Sequence, residues 1–312
     1  MAKFRRRLSE ELIQTLKEDP LFREKLLPDI RKEKPGVFPA IRDMSLSFYY
    51  KGGSLFQYDG QFKTNLKYGA IPIGPAAKSS ISQGDLAKFT VAPTFQEVYD
   101  QIKERCALYS GPESKDVSCL YANSAAIAPQ TPSVVLLDIE IAMYVDKNKN
   151  KDKDPDDIQQ NGTNDRIDIL LYDTETKSLC FCEAKHFSNG ELWAVEGSKP
   201  KVCKQLRRYD EKILENRAQI LQQYQNYVDW FNALFGTNLP APEFLFPRVG
   251  LLIFGYDSHQ EKKIDHLLKE DGSLEGIPYY TTGSMNSPKL GTSKIQTLYK
   301  TITNPKLQGQ EP

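Results

Sequence analysis

The stretch RIDILLYDTETKSLCFCEAKH, residues 166–186, decides the fold. Its two apolar runs, RIDILLY and LCFCEAKH, have the length and composition of buried β-strands, and the short polar turn DTETK makes them antiparallel neighbours. Because side chains alternate across a strand, Glu183 and Lys185 project from the same face. We expect Asp168, on the first strand, to meet Glu183 at one end of the sheet.

Two carboxylates and a lysine at the edge of an apolar sheet are buried charges, and the free energy of burying them has to be offset. Burying each charge alone costs several kcal/mol, and a divalent cation removes that cost. Mg²⁺ prefers a few carboxylate oxygens together with water and phosphate oxygens, and it makes a coordinated water more acidic. A nearby lysine orients that water or stabilises the charge that builds on a phosphate. These residues predict a Mg²⁺- or Mn²⁺-dependent site for phosphodiester hydrolysis, and the alternative is a structural salt-bridge cluster at a strand end.

Asp168, fourteen intervening residues and then Glu183-Ala184-Lys185 resemble the D…E-x-K core of the PD-(D/E)XK nuclease superfamily. Ile167 stands where the family usually has a proline. The resemblance implies a restriction-endonuclease-like fold and a catalytic site. In that family the aspartate and the glutamate bind the metal, the carbonyl of the middle residue, here Ala184, assists, and the lysine acts on the attacking water.

A second motif lies near the start of the long helix predicted over residues 201–235. Gln205 and Tyr209 are four residues apart and therefore share one helical face. They are similar to the Q-x-x-x-Y motif of the RecB and lambda-exonuclease branch, in which the glutamine and the tyrosine line the site and contact DNA. A rival copy, Gln223–Tyr227, lies deeper in the helix, so Gln205 is the preferred catalytic candidate.

The start of this helix is also basic. Its cations outnumber the two acids at positions 210 and 211, and positive side chains beside a metal hold the phosphate backbone of a nucleic acid. Arg166, on the strand that carries Asp168, either clamps a phosphate or pairs with a carboxylate. The helix candidates are Lys199, Lys201, Lys204, Arg207, Arg208 and Lys212.

A third acidic ligand would complete the metal site. Strand alternation places Asp138 and Glu140 together on the face away from the core. From there Glu140 approaches the metal if its strand neighbours the strand of Asp168. In the wider superfamily a glutamate from the first core helix often supplies this ligand, and Glu97 and Glu104 lie on such a helix here.

The remaining pattern predicts an α/β fold with a mixed sheet flanked by helices, preceded by a small N-terminal region of unknown role. That region contains a helix over 9–27, broken at Pro20, and an aromatic β-hairpin around Lys51-Gly52-Gly53. The predicted divisions are 1–90, the nuclease-like region 91–285 and a C-terminal tail 286–312. The predicted elements of the second division are helix 94–109, strands 134–145, 166–172 and 179–186, helix 201–235, strand 248–256, helix 259–270 and strand 278–282.

Composition limits the remaining function classes. Lys plus Arg and Asp plus Glu each number 41 in 312 residues, so the net charge is zero and a polycationic protein is excluded. The apolar stretches are shorter than the roughly 20 residues of a membrane span, and the N-terminus lacks the apolar run of a secretory signal. Five cysteines, an odd number without such a signal, indicate reduced thiols and a cytoplasmic location.

The predicted substrate is DNA, cut in a restriction, defence or repair context, and cleavage of both strands makes a homodimer an expectation. Two other functions stay open: a nuclease-like module that binds nucleic acid or protein without cutting, and an RNA-cleaving effector with the same site. The intact Asp168, Glu183 and Lys185 favour an enzyme. The charged run 146–165 lacks the glycine of an EF-hand loop, so we interpret it as solvated.

Overall fold

The structure is a computed structural model of the 312-residue chain. The charged run 146–165 lies outside the residues that the structure describes. The described residues are 4–32, 36–69, 80–86, 94–124, 126–127, 133–143, 166–194, 199–264, 274, 276–283 and 292–308.

The chain begins with a helix that is interrupted at Pro20. Helix α1 spans Glu10–Glu18, and Ser9 caps it because its hydroxyl accepts a hydrogen bond from a first-turn N–H at 3.2 Å. Asp19, directly before the proline, is extended because the proline ring disfavours a helical residue at that position. The predicted break is confirmed. The chain then continues as a π-helical turn over Phe22–Leu26 and as α2 over Leu27–Ile30.

The aromatic hairpin predicted around Lys51 and Gly52 belongs to a larger antiparallel sheet. Both turn residues have positive φ, 45° and 81°, as the two-residue turns that match strand twist require. The strands, hydrogen-bonded in chain order, are β1 (Val37–Ile41), β2 (Leu46–Tyr50), β3 (Gly53–Tyr58), β4 (Phe62–Asn65) and β5 (Ser80–Ser82), followed by helix α3 (Gln83–Leu86).

A second sheet contains the strands predicted for the nuclease-like region. Its strands are β6 (Val134–Ala142), β7 (Arg166–Asp173), β8 (Ser178–His186), β9 (Phe244–Leu245), β10 (Gly250–Phe254) and β11 (Tyr279–Thr282). The order is β11-β10-β8-β7-β6, with β9 also paired to β8. Strands β6, β7 and β8 are antiparallel neighbours, whereas β9 and β10 run parallel to β8 and β11 runs parallel to β10. The sheet is therefore mixed.

Helix α4 (Tyr99–Tyr109) follows and packs against β3 of the first sheet. The mixed sheet is flanked by α5 (Pro112–Ser124), α6 (Lys201–Phe235) and α7 (Thr292–Ile302), and the short helix α8 (Pro305–Gln308) comes after α7. Helix α6 has the predicted bounds, and it ends at Gly236, whose φ of 71° suits a glycine C-cap. Helix α5 was not predicted, and α7 lies in the predicted tail, where Leu298 and Ile302 are buried. The helix predicted over 259–270 is described only to residue 264, with 261–264 helical.

The mixed sheet lies between two helical layers. On one face, Tyr224 of α6 and Phe181 of β8 belong to a core that continues through Phe48 of the first sheet. On the other face, Leu120 of α5 and Leu298 of α7 belong to a second core. Because the first core runs through both sheets, the N-terminal region packs against the mixed sheet over a shared apolar interior.

Two expectations from composition concern the chain as a whole. Within the described ranges, no helix combines the length and the apolar character needed to cross a membrane. The five cysteines are free thiols, and Cys180 and Cys182 lie buried side by side on one face of β8.

Candidate active site

Strands β7 and β8 separate at the position that carries the predicted acidic residues. Their pairing ends at Ile169 and Cys182, and the next pair in this register would be Asp168 and Glu183. The N–H of Ala184 donates instead to Asp168 Oδ2 at 2.8 Å. We call Asp168, Glu183, Ala184 and Lys185 the strand fork. The fork brings the predicted catalytic residues together at one end of the sheet.

Lys185 lies between two carboxylates. Its Nζ is 3.0 Å from Glu183 Oε1 and 2.7 Å from Glu191 Oε2. Glu183 and Lys185 are buried, whereas Glu191, on the single helical turn Gly190–Leu192, is half-buried. The prediction that Glu183 and Lys185 share a face is therefore confirmed, and Glu191 is an additional contact that the sequence did not indicate.

Gln205 connects α6 to the strand fork. Its Nε2 donates to Glu183 Oε1 at 2.9 Å and contacts the Tyr209 hydroxyl at 3.0 Å. That hydroxyl donates to the backbone carbonyl of Arg166 at 2.7 Å, so the motif ties the helix to both strands of the fork.

The rival motif has a different position. Gln223 Oε1 accepts the backbone N–H of Arg6 at 2.8 Å, and the Tyr227 hydroxyl donates to the carbonyl of Leu137 at 2.9 Å. These contacts join α6 to the N-terminal segment and to β6. The structure therefore places Gln205, rather than Gln223, beside the candidate carboxylates.

A pocket opens at the fork, and three carboxylates line it. We call it the acidic pocket; its lining residues are Glu113, Ser114, Val117, Glu140, Asp168 and Ala184. The register between β6 and β7 puts Glu140 opposite Asp168. Arg166 contacts Glu140 Oε2 at 3.4 Å, so in this structure Arg166 pairs with a carboxylate.

Glu113 is the site residue that the sequence analysis missed. It lies in the first turn of α5, and its Oε2 accepts hydrogen bonds from the His186 N–H at 2.9 Å and from Asn189 Nδ2 at 3.1 Å. The available signal was Gly111-Pro112, because a glycine commonly ends one helix and a proline commonly begins the next.

The two helix candidates for a third ligand lie elsewhere. Glu97 forms a capping box: its carboxylate accepts the Thr94 N–H at 2.6 Å, and its own N–H donates to the Thr94 hydroxyl at 3.2 Å. Glu104 is exposed on α4, a helix that packs against β3 of the first sheet. Neither residue lines the acidic pocket, because the helix that reaches the fork is α5.

The expectation that Asp138 and Glu140 share a face away from the core is wrong. Asp138 is fully buried and accepts hydrogen bonds from Arg6 Nε at 3.0 Å, Arg42 Nη1 at 2.7 Å and the Tyr224 hydroxyl at 3.0 Å. A β-bulge between residues 136 and 138 turns Asp138 toward Tyr224, on the same side as Leu137. The positive φ of Glu140, 49°, then breaks the alternation between Asp138 and Glu140.

The predicted phosphate-binding cations lie on the first turns of α6 and just before it. By helical spacing, Lys201, Arg208 and Lys212 lie close to the direction of Gln205, whereas Arg207 lies nearly opposite. Arg207 is largely exposed and is 3.8 Å from a carboxylate oxygen of Glu211. Arg207 therefore does not belong to the predicted phosphate-binding cations that lie on the fork side of α6. Exposed Lys199 and Lys204 complete the basic segment.

Burial and neighbouring charges shift the ionisation of the fork. Burial raises the pKa of Asp168 well above its usual range, and the charge of Glu183 raises it further, while the Ala184 N–H opposes the rise. Burial raises the pKa of Glu183 to about 7 against the opposing effect of Lys185. Burial alone would lower the pKa of Lys185, but the Glu183 and Glu191 carboxylates outweigh burial and raise it. The carboxylates of the fork therefore resist ionisation together.

The donor atoms at the fork fit a hard divalent cation. Glu183 Oε2 and Gln205 Oε1 are buried and have no hydrogen-bond partner. A buried carboxylate oxygen without a partner is costly, and carboxylate oxygens are the ligands that Mg²⁺ prefers. Within the described part of the chain, no three His, Cys, Asp or Glu side chains already have the arrangement of a metal centre. An ion here would therefore take further ligands from backbone carbonyls, water or substrate.

Comparison of the chain with known proteins identified no relative. No family model, no curated protein and no solved structure matches the chain. The functional interpretation of the fork therefore depends on its residues and contacts.

Proposed function

We propose that this chain is a metal-dependent nuclease of the PD-(D/E)XK type that hydrolyses phosphodiester bonds in DNA. The observation that carries the proposal is the strand fork, where Lys185 contacts Glu183 at 3.0 Å and Asp168 occupies the next register position. The mixed sheet between helical layers is compatible with a restriction-endonuclease-like fold. The Gln205 contact with Glu183 supports a site that resembles the Q-x-x-x-Y branch.

Asp168, Glu183 and the carbonyl of Ala184 would hold Mg²⁺ or Mn²⁺. When bound, the ion supplies positive charge that favours the ionised carboxylates and promotes ionisation of the attacking water. The acidic pocket adds Glu113 and Glu140 as candidates for a further ligand.

The other groups of the chain act on water and substrate. The Lys185 ammonium orients the attacking water and offsets the negative charge that builds on the phosphate as one P–O bond forms and another breaks. Gln205 fixes the Glu183 carboxylate through its 2.9 Å hydrogen bond. Lys201, Arg208 and Lys212, on the Gln205 side of α6, would hold the nucleic-acid backbone.

A cleavage assay tests the proposal. Wild type and Lys185→Ala are incubated with circular and linear DNA, and with RNA, in the presence of Mg²⁺, Mn²⁺ or EDTA. We expect the wild type to cut only with metal, and Lys185→Ala to lose most of that cleavage. The matched control is Lys177→Ala, because Lys177 lies at the turn joining the same two strands and pairs with Glu243. Lys185→Ala cleaving as fast as Lys177→Ala would show that the assigned site is wrong, and cleavage of RNA alone would change the substrate class.

One observation favours the second candidate, a module that binds nucleic acid or protein without cutting. Lys185 is held by Glu191 as well as by Glu183, and no ready-made group of three metal-ligating side chains occurs among the described residues. Thermal unfolding with and without Mn²⁺ separates the two functions, because an ion that binds only the folded chain raises its Tm. The nuclease requires a Mn²⁺-dependent rise that Asp168→Asn removes.

A further inference from the structure

Strand β6 has an irregular backbone around Asp138. A β-bulge precedes this residue, since the pairing register with β7 shifts between Leu136 and Asp138. Two residues later, Glu140 has a φ of 49°, a left-handed conformation that side chains other than Asn and Asp seldom adopt. This conformation sets the direction in which the Glu140 carboxylate leaves the strand beside Asp168.

Side chains hold the residue that precedes this strained position. The Ile139 N–H donates to Asp138 Oδ1 at 2.8 Å, and Arg42 Nη2 donates to the Ile139 carbonyl at 2.6 Å. Arg42 Nη1 also donates to Asp138 Oδ1 at 2.7 Å, so one guanidinium fixes both the carboxylate and the backbone. The peptide that leads into Glu140 therefore has little freedom to relax.

The groups that hold β6 come from the N-terminal region. Arg42 directly follows β1, and Arg6 lies in the segment before α1. Arg6 Nε donates to Asp138 Oδ2 at 3.0 Å, where the Tyr224 hydroxyl also donates. Asp138 and Arg6 are buried, so solvent does not compete for these contacts.

We propose that Arg42 and Arg6 are positioning residues that hold Glu140 in the acidic pocket. They act through the Asp138 carboxylate and the Ile139 peptide, and this is a role for the N-terminal region in the site. The inference rests on the proposed function, because a fixed Glu140 carboxylate matters there if a cation binds at the fork. The geometric part can be measured without metal.

The first experiment follows backbone amide hydrogen exchange of residues 134–142 in metal-free protein by mass spectrometry. We expect Arg42→Gln to raise the exchange rate there by roughly ten-fold, since local opening is no longer restrained. Arg42→Lys keeps a positive charge beside Asp138 but cannot also hold the Ile139 carbonyl, so residues 134–142 of this variant should also exchange faster than in wild type. If Arg42→Gln does not fold, Arg42→Lys is the variant that decides the result. The matched control is Arg7→Gln, which removes an exposed pair with Asp43. Exchange equal to wild type in Arg42→Lys would overturn the inference.

The second experiment is a double-mutant cycle on Mn²⁺ affinity, measured by calorimetry with the metal alone. Loss of an outer-shell partner commonly weakens metal binding by about 10- to 100-fold, and we expect that range for Arg42→Lys and for Glu140→Gln. If Arg42 acts through Glu140, the double variant should bind no more weakly than Glu140→Gln. Multiplication of the two losses would overturn the inference, because Arg42 would then act independently of Glu140.

Different results would overturn the proposed function and this inference. Mn²⁺ binding without cleavage by wild type would remove the nuclease proposal and leave the coupling between Arg42 and Glu140 measurable in the cycle. If wild type binds no Mn²⁺, hydrogen exchange alone decides whether Arg42 holds the β6 backbone. Faster exchange in Arg42→Lys, but not in Arg7→Gln, then supports the positioning role.

Discussion

Asp138→Asn removes the charge at the centre of the contacts that join the N-terminal region to β6. The carboxylate is completely buried and accepts hydrogen bonds from Arg6 Nε at 3.0 Å and Arg42 Nη1 at 2.7 Å. It also accepts from the Tyr224 hydroxyl at 3.0 Å and from the next backbone N–H at 2.8 Å. An asparagine of the same shape would leave two arginines without a counter-charge and would turn an amide NH₂ toward one of them.

The expected loss follows from burial. Removing one partner of a buried ion pair costs about 3–5 kcal/mol, because the charge left behind stays desolvated. The matched control is Asp43→Asn. Asp43 also faces two arginines, Arg7 at 2.6 Å and Arg5 at 3.9 Å, but its side chain is 45% exposed. Exposed pairs contribute about 0–1 kcal/mol, so the two substitutions should differ several-fold although each removes one carboxylate.

Urea unfolding followed by circular dichroism measures this difference. We expect Asp138→Asn to lower the free energy of unfolding by about 3–5 kcal/mol. Its Tm should fall by about 10 °C, since each kcal/mol moves the Tm of a large domain by about 2–4 °C. Asp43→Asn should stay within about 1 kcal/mol of wild type. Equal losses in the two variants would refute the argument, because burial would then have no effect on the strength of these pairs.

Three further predictions concern the site and the N-terminal region. Lys185→Ala should lower the cleavage rate by about 10²–10⁴-fold while DNA binding, measured by gel shift, is retained. Gln205→Leu should reduce cleavage with little change in Tm, whereas Gln223→Leu should lower Tm and spare cleavage; the reverse result would exchange the roles of the two motifs. Burial alone would raise the pKa of Asp29, but hydrogen bonds from Lys103, Lys32 and Tyr99 outweigh burial and lower it. The stabilisation from Asp29 is therefore present above about pH 4 and is lost as pH falls, so urea unfolding between pH 3 and 7 should show a flatter acid limb for Asp29→Asn.

The sequence predicted the features that depend on local periodicity. Strand alternation placed Glu183 and Lys185 on one face, and the structure has them 3.0 Å apart. Helical spacing placed Gln205 and Tyr209 on one face of α6, and their side chains are in contact at 3.0 Å. The C-terminal end of α6 at Gly236 was readable because a glycine adopts the left-handed cap at little cost.

The features that the sequence analysis missed depend on contacts between distant segments. The partners of Asp138 are Arg6 and Arg42, which lie 132 and 96 residues away along the chain. A β-bulge precedes Asp138, and strand alternation alone therefore assigned Asp138 to the wrong face. Glu113 lies on α5, a helix whose apolar residues do not form a clear stripe, so its approach to the fork depends on packing against the sheet.

The charge balance at the fork bears on the choice between a metal site and a structural salt bridge. Lys185 carries one positive charge and contacts two carboxylates, Glu183 and Glu191, so it can neutralise only one of them. Asp168 lies beside Glu183, and among the described residues its hydrogen-bond partner is the Ala184 N–H rather than a cation. A salt bridge that served only stability would gain nothing from a second buried carboxylate, because the two acids raise each other's pKa. Glu140 adds to this repulsion, and its backbone is strained where it does so. An arrangement that destabilises the chain in several independent ways is expected where a bound cation restores the balance, and this argument favours a metal site over a structural cluster.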